Sequence, residues 1–299
     1  MSALEEPERL DTPARRRIKE LEVMVSDIRL ETPDTATISL FSGHDRLEYE
    51  AGHFLTIDPH QFDSLAGFIG FLEDVKGKRE PARAYSLASA PHERHLTITV
   101  KEERYVAGVT RYPPLLSPFL VGGLARGTRL VVTGFTGPYT LPRDVEAQTD
   151  HIVHLCAGSG MVPNYSILKH ALKQHPSVRH TFICSNRTRL DVAFLDELDS
   201  LERNNPDRVR VLHTLTREAG PNGDPRFRHG RVSLPLLREL IPDPSACLVY
   251  ACGPAISAWE RRRAKEEQRE PEPRFMENVI QILAEVGVER NRIRKESFG

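Results

Sequence analysis

The sequence is poor in cysteine and nearly without net charge. Four cysteines stand in 299 residues, Cys156, Cys184, Cys247 and Cys252, and no two form a C-x-x-C pair. Three of them begin or end apolar, strand-like runs, the pattern of reduced, buried thiols. The C-x4-C-x2-C spacing of a plant-type [2Fe–2S] cluster is missing, which excludes such a cluster within these residues. The formal charge is −1, so nothing points to a general nucleic-acid or membrane-surface binder. Long hydrophobic runs are missing too. The longest weakly polar stretch, 115–125, is broken by Ser, Pro and Gly and is too short to span a bilayer. Residues 1–17 are charged, contain Pro and lack the apolar centre of a signal peptide. A cytoplasmic protein is expected, with no membrane insertion and no nucleic-acid partner.

What is present is an ordinary globular composition, 39% hydrophobic and 28% charged, with length enough for two domains. Residues 1–17 read as a disordered arm. Alternation then predicts strands over 21–25, 35–40, 53–57, 95–101 and 128–134. With the stretch around Arg83 these make about six short strands, the pattern of a small antiparallel barrel. Residues 60–81 break the rhythm with Gly67, Gly70 and Gly77 and read as an excursion or flap.

The second half changes period. Apolar strands at 151–156, 181–185, 209–214 and 247–251 alternate with helical stretches at 162–174, 192–203 and 234–240. That alternation implies a parallel α/β sheet with right-handed crossovers. The polar stretch 141–150 reads as the boundary. Residues 217–230 read as a long loop. Residues 260–274, almost all charged or Pro, read as a solvated helix end plus a linker.

Several short segments carry chemistry. In Arg83-Ala84-Tyr85-Ser86 the Arg and Tyr share one face of an extended strand. Arg forks onto phosphate oxygens, Ser adds donors, and the Tyr ring covers an aromatic face. Gly158-Ser159-Gly160-Met161-Val162-Pro163 follows the first α/β strand and opens a helix. Glycines there let backbone amides approach a pyrophosphate, and Pro163 suits the first helical turn. Arg187, Arg217 and Arg231 each follow or flank a strand end, where an open α/β sheet binds ligand. Cys252-Gly253-Pro254 follows the last strong strand, and Glu296-Ser297-Phe298-Gly299 closes the chain.

Taken in order, these segments resemble the ferredoxin–NADP reductase superfamily over residues 18–299. Arg83-x-Tyr85-Ser86 is similar to its flavin signature, and the 158–163 loop to its G-x-G-x-x-P nucleotide loop. Cys252-Gly253 is similar to its Cys-Gly motif beside the nicotinamide. Ser117 resembles its second flavin segment, although Pro113 and Pro114 replace the usual glycines there and residues 108–110 are a further source of contacts. The E-x-F ending is similar to oxygenase reductases and flavohaemoglobins. The excursion at 60–81 and the charged stretch at 260–274 depart from the family.

The resemblance implies an FAD-binding barrel over 18–143 and an NADP-binding α/β domain over 150–299. It implies that Arg83, Tyr85, Ser86, Leu87, Val100 and Ser117 hold FAD. Gly158, Gly160, Pro163, Arg187, Arg217, Arg231 and Gly253 would hold NADP, the arginines favouring its extra phosphate. Cys252, Glu296 and Phe298 would line the meeting point of the two rings. The implied activity is hydride transfer from NADPH to FAD, then single electrons to a separate acceptor such as ferredoxin, flavodoxin or a Rieske-type component. Two alternatives stand beside it: the reductase component of an oxygenase, and a non-catalytic FAD-holding relay subunit.

Overall fold

A computed structural model describes residues 20–43, 47–107, 110–220 and 223–298. The expected arm at 1–17 and Gly108 and Val109 lie outside them. The first sheet holds β1 (Leu21–Thr32), β2 (Thr35–Phe41), β3 (Phe54–Ile57), β4 (Arg83–Ser86), β5 (Leu96–Lys101) and β6 (Arg129–Thr136). Its order is β4-β3-β6-β1-β2-β5, and every pairing is antiparallel. A bridge between Leu87 and Ile98 joins the two edge strands, and the Ala88 amide donates to the Thr97 carbonyl at 2.7 Å. This closure makes the sheet a barrel and covers its edges. Alternation does the rest: Val23, Val25, Ile38, Leu40, Leu55 and Ile57 point inward and are buried.

The expected flap at 60–81 is largely helical. After a turn capped by the Asp58 side chain, α1 runs over Ala66–Lys76 and ends on Gly77, whose φ of +65° suits a left-handed cap. Gly67 and Gly70 weaken the helical signal. Burial of Ile69 and Leu72 against Leu115 outweighs that weakness.

The second sheet holds β7 (His151–Ala157), β8 (Arg179–Asn186), β9 (Val209–Leu215), β10 (Phe227–His229), β11 (Leu248–Pro254) and β12 (Ile293–Phe298). All its strands are parallel, in the order β10-β9-β8-β7-β11-β12. One face packs under α4 (Met161–Gln174) and α5 (Leu195–Asn204). The other packs under α6 (Leu234–Leu240) and α8 (Phe275–Val286). α7 (Ala258–Glu266) stands between β11 and α8. β10 sits inside the expected long loop. Three residues are too few for a period, and burial of Phe227 against the His213 ring, 4.9 Å away, sets it. Strand order reverses between β7 and β11, which leaves a crevice at the carboxyl ends of these strands.

The stretch 141–150, expected as the domain boundary, is packed. It contains α3 (Val145–Gln148), and Val145 is fully buried with Tyr139, Ile152 and Ile167. Two shorter helical turns, α2 (Leu116–Pro118) and Phe119–Gly123, lie on the barrel. Across the junction the Ser166 hydroxyl donates to the Ser89 carbonyl at 2.7 Å. Such a bond contributes about 1 kcal/mol net, against about 2 kcal/mol for each large apolar side chain buried. Apolar packing around Tyr139 and Tyr250 therefore holds the junction.

Gly52 sits at the junction. Its φ is +95°, and a Cβ there would lie 1.9 Å from the Tyr139 carbonyl oxygen and 3.1 Å from the Ile167 side chain. Gly52→Ala should lower unfolding free energy by roughly 2 kcal/mol or more. Urea denaturation checks this, and an unchanged midpoint would show that the junction is loose.

Candidate active site at the crevice of the parallel sheet

The loop after β7 shapes the site. Gly158 has φ +54° and open space where a Cβ would stand, whereas a Cβ on Gly160 would fall 2.1 Å from the Cys252 carbonyl oxygen. The first glycine thus faces the crevice and the second lets the loop press on β11. Pro163 lies buried in the first turn of α4. Asn164 fastens this corner: its side-chain amide donates to the Gly160 carbonyl at 3.0 Å, and its oxygen accepts from Tyr139 at 3.3 Å. The motif reading passed over Asn164, although it follows Pro163 directly.

A cavity of about 500 Å³ opens at these strand ends. Gly158, Ser159, Arg187, Arg231, Pro254 and Phe298 line it, with Lys101 from the barrel. Arg217 is not among the lining residues. Its backbone amide bonds the Arg187 carbonyl at 2.8 Å, but its side chain is exposed. The charged 260–274 stretch contributes Glu260, Glu272 and Arg274 to the cavity wall, so it is more than a linker.

The cations in this cavity are unequally neutralised. Arg187 pairs with Asp191 and reaches Asp34 at 3.5 Å. Asp34 also accepts from Lys101 at 2.6 Å. Burial works against its charge, but Lys101 and the hydroxyls of Thr32 and Thr35 outweigh burial and hold the pKa below the usual range. Arg231 makes no side-chain ion pair or hydrogen bond among the described residues.

On the other wall β11 and β12 align Cys252 with Glu296 and Pro254 with Phe298. Cys252 is 2% exposed. Burial pushes its thiol well above the usual range, and the Glu296 charge adds to this. Phe298 keeps 40% of its surface exposed. Gly253 leaves room for the Phe275 ring, since a Cβ there would sit 2.5 Å from it.

The barrel presents the flavin-signature strand β4. Arg83 donates to Glu80 at 2.7 Å and to the Pro81 carbonyl at 2.8 Å. Glu80 is 2% exposed and also pairs with Lys76 at the end of α1. This buried carboxylate, missed in the sequence, aims Arg83. Among the described residues the side chains of Tyr85 and Ser86 make no hydrogen bond, so both polar tips remain free for a ligand. Leu87 and Val100 are buried in the barrel core, so their side chains pack rather than line a site. Ser117 is buried, and its hydroxyl accepts from the Glu103 amide at 3.1 Å.

A parallel sheet with a glycine loop and cations at its switch point, joined to a closed barrel, defines a two-domain nucleotide-binding oxidoreductase fold. Residues 155–258 match the family model of the oxidoreductase NAD-binding domain. Across both domains the chain resembles FAD- and NAD(P)-binding oxidoreductases of the ferredoxin–NADP reductase type. It is 30% identical over 245 residues to the NADH oxidoreductase HCR of Escherichia coli, covering 81% of this chain and 63% of that protein. It is 27% identical over 242 residues to an NADPH oxidoreductase of Mycobacterium tuberculosis, covering 79% and 54%. The chain thus spans less than two thirds of either relative. Among solved structures, the FAD/NAD-binding domain of nitric oxide dioxygenase from Vibrio cholerae superposes with TM-score 0.69 at 22% identity, covering 94% of this chain and 99% of that one. The ferredoxin reductase in carbazole 1,9a-dioxygenase gives 0.66 at 17%, covering 94% and 69%.

The residues present fit both groups. The open face of Gly158 and the neighbouring cations suit a dinucleotide, and Arg83, Tyr85 and Ser86 suit a flavin's phosphate and ring.

Glu296 offers a test of this wall by pH. Burial lifts its pKa above the ordinary value of 4.5. A carboxyl whose native pKa exceeds its unfolded pKa stabilises most when protonated, and that contribution is lost as pH rises through the native value. Glu296→Gln should therefore melt at or above wild type near neutral pH, the difference vanishing as pH falls to about 4. Thermal melts across this range check it. A variant less stable at neutral pH would show that the ionised carboxylate is favourably held.

Proposed function

We propose that the chain is an FAD-dependent NADPH oxidoreductase that takes hydride from NADPH and delivers single electrons to a separate acceptor protein. The observation that supports this best is the single cavity in which Gly158, Arg187, Arg231 and Phe298 meet a lysine from the barrel. Bound FAD would supply the conversion of a two-electron donor into one-electron steps. The protein's own residues bind and orient. Loop amides around Gly158 and the guanidinium of Arg231 receive phosphate charge. Phe298 covers the position where two flat rings must stack and keeps water from it. The Cys252 thiol, buried and neutral, packs beside that position without adding charge. Arg83, steadied by Glu80, would hold a flavin phosphate.

The choice of NADPH rests on Arg187 and Arg231. Asp191 and Asp34 already neutralise Arg187, so the preference is modest and Arg231 carries most of it. The acceptor is a ferredoxin, flavodoxin or Rieske-type protein, and the last would make the chain an oxygenase's reductase component. The open nucleotide cavity argues against a non-catalytic relay subunit.

Anaerobic addition of NADPH to the FAD-loaded protein tests this, because an enzyme bleaches its flavin unaided and a relay subunit does not. Changing Arg187 and Arg231 together to Ala should raise KM for NADPH by about tenfold and leave NADH nearly untouched. A wild type that uses NADH better would overturn the 2′-phosphate assignment.

Flavin retention gives a second test. Arg83→Ala removes a charge-assisted phosphate contact worth about 1.5–3 kcal/mol and should lower FAD content after purification. Full occupancy in this variant would remove Arg83 from the site.

A further inference from the structure

The helix that departs from the family pattern begins at Ser257, whose hydroxyl accepts from the Glu260 amide at 3.2 Å. The Glu260 carboxylate divides its oxygens. One accepts from the Ser257 amide at 2.8 Å and closes the cap of α7. The other accepts from Arg274 Nε at 2.8 Å and from Arg274 Nη2. Arg274 is fixed along its backbone as well, since its amide donates to Glu277 at 3.1 Å. The next residue, Phe275, packs on Gly253. Gly253 follows the Cys252 carbonyl on which Gly160 presses. Arg274 is therefore anchored beside the wall that carries the glycine loop, and it lines the same cavity as Gly158 and Ser159.

The cavity's cations differ in what they would leave behind on binding an anion. Arg187 and Lys101 share Asp34, whose side chain is 12% exposed, and drawing either away uncovers it. Arg274 uses one oxygen of Glu260, whose other oxygen stays on its cap. Its side chain remains 39% exposed. Arg274 is thus the paired cation that a phosphate engages with least damage to the protein's own bonds. Its neighbours on the wall, Phe275 and the glycine loop, mark the pyrophosphate rather than the 2′-phosphate, since Arg187 and Thr216 stand at the ends of β8 and β9.

We propose that Arg274 is a ligand of the dinucleotide pyrophosphate, held ready by Glu260 at the head of α7. This rests on the nucleotide cavity of the proposed function. α7 is tied to the barrel as well. Trp259, the only tryptophan, lies under the Arg111 guanidinium at 5.3 Å, and that guanidinium also covers Tyr112 at 4.9 Å. The helix that positions Arg274 therefore touches the barrel domain as well.

The test is calorimetric titration of the oxidised, FAD-loaded protein with ADP-ribose, which carries the pyrophosphate but neither nicotinamide nor 2′-phosphate. At low salt Arg274→Gln should bind about tenfold more weakly than wild type. The gap should narrow at high salt, because the lost interaction is between charges. Arg274→Lys should recover part of the loss, and Glu260→Gln should bind at least as tightly as wild type. A merely structural role for Arg274 predicts a loss equal at both salts that Lys does not recover. That result, or an Arg274→Gln affinity within twofold of wild type, overturns the proposal. Wild type that fails to bind ADP-ribose overturns the nucleotide cavity itself, and Arg274 with it.

Discussion

The candidate site depends on one close approach, the seating of Gly160 on the carbonyl of Cys252. No side chain fits between them, so the loop after β7 is pressed onto β11. That contact aims Gly158 into the crevice and starts α4 at the right height. Asn164 then ties Gly160, Tyr139 and His154 together in a buried set of hydrogen bonds. Buried polar groups of this kind rigidify because each unmade bond would be costly. Packing of Phe275 on Gly253 carries the same constraint along the wall to the start of α8. The site is thus a consequence of how tightly two adjacent parallel strands exchange small residues at their ends.

Charge joins the halves where apolar packing thins out. Glu31 of β1 accepts from the Phe194 amide at 3.3 Å, and Arg29 pairs with Glu197. Lys169 of α4 reaches Glu93 at 2.5 Å. Asp34 links Lys101 of the barrel with Arg187 of the second sheet. Exposed pairs contribute little to stability, about 0–1 kcal/mol each. Their value lies in orientation, since Asp34 places a barrel lysine and a sheet arginine on one cavity.

Much of this was legible in the residues. The switch from alternation to strand–helix repeats marked both sheets, because period follows directly from which faces are buried. Gly158 and Gly160 stood between a strand and a helix, the context a nucleotide loop needs. What escaped detection follows a physical pattern. α1 carries two interior glycines, so its helical signal is weak and its existence rests on burial of Ile69 and Leu72. β10 is three residues long and is set by one ring contact. Arg274 fell in a stretch read as solvated and Glu80 in the excursion drew no reading of its own, because spacing along the chain does not distinguish a paired charge from a free one.

The sequence by itself determined the local elements, the order of the motifs and the chemistry available at strand ends. These are properties of neighbours along the chain, where spacing equals geometry. Only the tertiary structure decided which of three arginines reach the cavity, and it admitted Arg187 and Arg231 while leaving Arg217 outside. It also decided that Leu87 and Val100 turn into the barrel core, and that Lys101, Glu260 and Arg274 join the wall. The physical reason is range. Ion pairs and cavity walls bring together residues far apart in sequence, and their meeting is set by how two packed domains lie against each other.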